Sequence, residues 1–234
     1  MRFTYFILLG ILTLSCSSDA DSWLEEAKKR LKAGETVSAK EAIQKAIDKN
    51  PGLAEAYNLR GVILFQEKDF VGAETQYRKA IELKPSLVQA QLNLGALMME
   101  NGKWQEAFQP TNEAVKLQPD SSAGYLQRGI VLAALGKPAE AKADFTACLK
   151  ISPNEINAHY NRGNIYFQEL NYLEAIQDFE ASVAANAEFG KGYYALGLSY
   201  YHVKEQEKSC LALQQAKKLK YPGAAEAVKN LCNE

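Results

Sequence analysis

Apolar and small residues recur along this chain in two interleaved helical stripes. Tyr57, Gly61 and Leu64 stand four and three residues apart, the spacing of one helix face. The same face returns as Tyr193, Gly197 and Tyr200, and as His159 beside Tyr160, then Gly163 and Tyr166. A second stripe follows each, as in Ala73, Tyr77, Ala80 and Ala141, Phe145, Cys148. Each pair of stripes predicts two helices joined by a turn. Proline then closes the second helix, because it lacks an amide hydrogen and crowds the preceding turn.

The pattern has a fixed period. Gly61, Gly95, Gly129, Gly163 and Gly197 are 34 residues apart, as are Pro51, Pro85, Pro119 and Pro153, and Ala39, Ala73, Ala107, Ala141 and Ala175. Glycine lets the partner helix approach closely, at a helix-propensity cost of about 1 kcal/mol. A helix–turn–helix unit of this period resembles the tetratricopeptide repeat. The likeness covers residues 20–223 and implies an all-α, right-handed superhelical solenoid. Its repeats are expected at 20–53, 54–87, 88–121, 122–155, 156–189 and 190–223, with a capping helix and C-terminus at 224–234. Positions below are numbered 1 to 34 within each repeat. The terminal repeats depart from the pattern: Ala27 replaces a glycine, Ser209 an alanine, and Ala187 a proline. In repeat three Pro110 falls inside the second helix and Thr111 takes the bulky position, so a bend is expected near residues 106–110. Pro138 sits at a helix start, where it is tolerated.

The first fifteen residues read differently. Arg2 precedes an apolar run from Phe3 to Leu14, too short for a bilayer, which needs roughly 20 apolar residues, and suited to a secretory signal. The run ends at Leu14-Ser15-Cys16, similar to a bacterial lipobox, although Thr13 stands where leucine is usual. This implies a signal peptide at 1–15, lipidation of Cys16 and a polar tether at 16–19. Acidic residues soon after the cysteine resemble export signals of some bacterial lipoproteins. The expected location is the bacterial cell envelope, lipid-anchored, on the periplasmic or surface side of the outer membrane. The alternative is a secreted protein cleaved near Ser15.

Composition narrows the function. Twenty-seven basic and 28 acidic residues give a net charge of −1, so no basic excess points to nucleic acid. No phosphate loop, HExxH or GxSxG motif occurs, and the only histidines, His159 and His202, fall on packed repeat helices. The reading is of a non-enzymatic chain with no cofactor and no metal site. Cys148 occupies a small core position. Cys210 and Cys232 face each other in phase across the last repeat and the cap, and a disulfide there is chemically allowed outside the cytoplasm.

In the resembling family the first helices line a concave groove. The stripe at positions 2, 5, 9 and 12 is largely apolar and aromatic, where a solvated face should be polar. Its candidate partner-binding residues are Phe65, Met99, Leu126, Tyr160, Asn164, Phe167, Tyr194 and Tyr201. About half of the stripe is expected to pack against the next repeat. Such a surface suits an apolar peptide or helix. The carboxylate clamp of chaperone-binding repeats is not expected, since Tyr160 and Ala195 stand where lysine and asparagine are needed. Arg60, Arg128 and Arg162 precede the glycines, and a structural role is expected for them. The functional expectation is an envelope scaffold holding a protein or peptide. The alternatives are a pilotin-like assembly factor, a non-catalytic subunit of an envelope enzyme, and a binder of cell-wall glycan.

Overall fold

The computed structural model describes the backbone of residues 8–232 and the side chains of residues 19–232. Residues 1–7 of the expected signal segment and the side chain of Cys16, the expected lipidation site, lie outside the described residues. Thirteen helices and no strand occur among the described residues. They are α1 (Leu8–Lys32), α2 (Thr36–Lys49), α3 (Ala54–Gln66), α4 (Phe70–Leu83), α5 (Val88–Glu100), α6 (Trp104–Leu117), α7 (Ser122–Ala134), α8 (Pro138–Ile151), α9 (Ile156–Gln168), α10 (Tyr172–Ala185), α11 (Gly190–His202), α12 (Gln206–Lys218) and α13 (Ala224–Leu231). They form two compact units, Met1–Leu117 and Gln118–Glu234. In each unit, odd-numbered and even-numbered helices pack as consecutive antiparallel pairs. Among the described residues no helix is long and apolar enough to cross a membrane.

The 34-residue rhythm becomes geometry at three places. The first is the turn within each pair, where position 15 is left-handed: Gly34, Gly102 and Gly136 have φ of 79°, 69° and 73°. Lys68, Leu170 and Lys204 take the same conformation at φ 64°, which costs a side-chain-bearing residue roughly 1–2 kcal/mol. The second is the link between pairs. The residue before proline avoids the helical region, so Asn50, Lys84 and Ser152 turn extended and end α2, α4 and α8. Asn186 does the same although Ala187 follows it.

The third is the contact between the two helices of a pair. A Cβ placed on Gly61, Gly129 or Gly163 would come within 2.5, 2.7 or 2.8 Å of the ring of Tyr77, Phe145 or Phe179. On Gly197 it would meet Leu213 at 2.7 Å. Phe145, Phe179 and Leu213 are fully buried, each contributing roughly 1.5–3 kcal/mol through burial. In repeat three this place belongs to Thr111, also fully buried, whose hydroxyl donates to the carbonyls of Ala107 at 2.8 Å and Phe108 at 3.1 Å. Pro110 is buried within α6, which remains one unbroken helix through the expected bend.

At the C-terminus α13 lays Ala227 and Val228 against Leu213, with Tyr194 alongside, and also buries Ala224. A disulfide joins Cys210 to Cys232, with Cα atoms 5.6 Å apart, and the Gln206 side-chain amide donates to the Leu231 carbonyl. Cys148 is a buried free thiol, which burial pushes up to about 11.

Candidate partner-binding face

The first helices carry the candidate residues, and the two units hold separate sets. In the first unit, Phe65 on α3 is half-buried with its ring 5.5 Å from Phe70, and Met99 on α5 is also half-buried. Asn58 on this stripe accepts a bond of 2.9 Å from Asn93, at position 6 of the next repeat. Leu92, at position 5, is buried in the core.

The second unit holds the larger set: Leu126 on α7, Tyr160, Asn164 and Phe167 on α9, and Tyr194 and Tyr201 on α11. All but Tyr201 are half-buried; Tyr201 is 42% exposed. Each aromatic ring of this set is propped by another ring. Tyr160 lies 5.8 Å from Phe179 and 5.3 Å, edge-on, from Phe189, while Lys191 Nζ sits 4.5 Å over its face. Phe167 meets Tyr172 at 5.3 Å and His202 at 5.4 Å. His202 stacks flat on Tyr172 at 4.4 Å and touches Tyr201 at 6.0 Å. Tyr194 leans on Tyr221 at 5.2 Å, beside the cap. These contacts restrict ring orientation, while each ring remains partly exposed. Among the described residues, the side-chain amides of Asn161 and Asn164 bond no other residue.

Tyr172 and Phe189 are parts of this face that the stripe rule does not reach. Tyr172 opens a second helix and Phe189 lies in a loop, so neither belongs to the first-helix periodicity. The available signal was their aromatic character at positions bordering a helix.

Behind the face lies a set of charges. Arg128 grips Asp144 through two bonds of 2.7 Å, and Arg162 grips Asp178 at 2.8 and 2.7 Å while also donating to Thr146 at 2.9 Å. Asp144 and Asp178 are buried. The bond to Asp178 raises the Arg162 guanidinium, and that to Asp144 raises Arg128. Burial pushes Asp178 upward, yet the bonds from Arg162 and His159 outweigh it and hold the carboxylate below its ordinary value. In the first unit Arg60 bonds the Gln44 amide oxygen at 2.5 Å instead. These arginines are therefore engaged within the repeats.

The tetratricopeptide-repeat family profile matches residues 24–88, 73–122 and 126–188. The chain belongs to this family. No curated protein matches it significantly. Among solved structures, pilF of Pseudomonas aeruginosa is similar, with a TM-score of 0.82 at 22% identity over 94% of this chain and 100% of that one. YrrB, described as a tetratricopeptide-repeat protein with an unusual peptide-binding site, gives 0.67 at 23% over 81% and 98%. A tetratricopeptide-repeat protein from Parabacteroides merdae gives 0.65 at 18% over 92% and 97%. These likenesses establish the shared all-α repeat fold. The family is one of protein–protein interaction scaffolds.

Proposed function

We propose that this tetratricopeptide-repeat chain is a non-enzymatic scaffold that holds an apolar peptide or helix against α9 and α11, tethered to the bacterial cell envelope through a lipid on Cys16. One observation carries the reading: Tyr160, Phe167, Tyr194 and Tyr201 form a half-open aromatic row held in place by other rings, beside two amides free for a ligand backbone. Prefixed rings lose little side-chain entropy on binding, and so suit a recognition surface. Lys191, over Tyr160, adds a single cation at the edge. A pilotin-like role is the same chemistry with an envelope-complex subunit as occupant; it draws on the full-length likeness to pilF in architecture alone.

Cross-linking in the native envelope tests this. Wild type is expected to capture a protein that the Phe167→Ala/Tyr201→Ala variant loses, at unchanged fold. Equal capture by both places the partner elsewhere. In the same cells Cys16→Ala should move the chain from the membrane to the soluble fraction; a variant that stays with the membrane removes the anchor.

A further inference from the structure

His159 stands at position 4 of repeat five, about 100° of helix rotation from Tyr160 and so on the face of α9 adjacent to the ring-lined one. Its Nδ1 lies 2.9 Å from an Asp178 oxygen and its Nε2 2.8 Å from the Pro153 carbonyl oxygen. Both partners can only accept. A neutral imidazole has one N–H, so it satisfies one contact and turns a lone pair on the other. Only the doubly protonated ring makes both bonds. The carbonyl bond is a repeated device: Tyr57 Oη donates to the Pro51 carbonyl at 3.1 Å, and Gln91 Nε2 to that of Pro85 at 3.4 Å. Repeat five alone among these three uses a group that titrates near neutrality.

We propose that protonation of His159 locks α9 between α10 and the loop at Pro153, so that the face bearing Tyr160, Asn164 and Phe167 is firm at mildly acidic pH and loosens as pH rises. This regulation rests on the partner-binding reading above. The groups around the ring are few. Asp178 comes from α10, and Arg162, on the same helix, shares that carboxylate and opposes a second positive charge. Glu155 caps the start of α9, and its carbonyl takes the His159 backbone amide. From α8, Thr146 is neutral and Cys148 stays a thiol. From α11, Lys191 is placed over Tyr160. The Asp178 bond raises the imidazole above its ordinary 6.5, against the effect of burial and with help from Pro153. A group raised on folding gives its full stabilisation below the unfolded value and loses it as pH climbs through the folded one.

Nitrogen-15 spectra of the full chain decide the matter, with His159 assigned by its loss in His159→Tyr. Both ring nitrogens are expected to carry protons at pH 6.5, and a neutral tautomer there overturns the lock. Amide hydrogen exchange in α9, corrected for the intrinsic rate, supplies the second reading. Protection should fall in wild type as pH rises from the imidazole's ordinary 6.5 through its raised folded value. It should hold in His159→Tyr, whose phenol can reach the carbonyl as Tyr57 does while Arg162 keeps Asp178. Equal loss in both overturns the proposal, and the wild-type spectra stand even if the variant does not fold. Neither readout needs a bound partner, so a chain that captures nothing sinks the binding reading and leaves the lock separately decided.

Discussion

In repeat five, position 7 is Arg162 and position 23 is Asp178, joined by two short bonds; in repeat three the same positions are Leu94 and Pro110, both buried. Repeat four follows the first solution with Arg128 and Asp144, and repeat six the second with Leu196 and Ala212. In these four repeats the two positions match each other, by an ion pair in two and by apolar packing in two. This also explains how α6 carries a proline. Position 23 of that repeat holds no charge to be satisfied. The bond that Pro110 cannot make is the one to the carbonyl of Glu106, an exposed residue. The Thr111 hydroxyl adds a bond to the next carbonyl, that of Ala107.

Breaking one partner should therefore cost far more than replacing both. Asp144→Leu leaves the Arg128 guanidinium, 20% exposed, without its carboxylate, and should destabilise the second unit by about 3–5 kcal/mol. Arg128→Leu/Asp144→Leu reproduces the apolar solution and should regain most of that loss, since buried ion pairs exchanged for packed hydrophobes are often neutral. Urea unfolding of the three chains reads the difference. A double variant as unstable as the single would mean that the apolar match of repeat three depends on its other residues.

Much of this was legible in the chain itself. The glycine, alanine and proline registers give helix pairs because each residue type has one steric use at its position, and the helix starts at Ala54, Val88, Ser122, Ile156 and Gly190 keep that interval. The structural role expected for the arginines follows from the same logic, although their partners sixteen residues away needed the structure to be named. A bend is expected at Pro110, and α6 runs on through that residue as one helix. The aromatic row was visible as a stripe, but its supports, Tyr172 and Phe189, come from a second helix and a loop, and such tertiary neighbours leave no periodic trace.

A smaller effect separates the repeats at position 8. Gly129→Ala drives a methyl to within 2.7–3.2 Å of three atoms of the Phe145 ring, which is fully buried and has no room to turn. Overpacking of this kind should cost about 1–3 kcal/mol. Gly95→Ala faces the repeat whose position 24 is Thr111, so it should be near neutral or gain up to about 1 kcal/mol of helix propensity. Thermal midpoints of the two variants read the contrast. Equal losses would show that the close approach in repeat three is set by backbone rather than by the ring.

The smallest and most pointed change belongs in repeat two, which follows neither solution. Arg60 holds position 7, but position 23 is Gln76, whose side-chain oxygen is buried without a hydrogen-bond partner among the described residues. The arginine turns to Gln44, at position 25 of the preceding repeat, where Arg162 of repeat five finds Thr146 as an acceptor. Gln76→Asp supplies the carboxylate of repeats four and five at the same position. A bond to a charged group adds roughly 1.5–3 kcal/mol, and burying the charge offsets much of it, leaving a net gain of about 1 kcal/mol at pH 7. A paired carboxylate is depressed on folding, so the gain should be present above about pH 4, its ordinary range, and fade as pH falls through the folded value. Urea midpoints at pH 7 and pH 3, with Arg60→Leu/Gln76→Asp as the control lacking the cation, separate the pair from the substitution itself. A loss of stability at pH 7 would mean that Arg60 is committed to Gln44, and that positions 7 and 23 make an ion pair only where position 25 of the preceding repeat lets the arginine reach both.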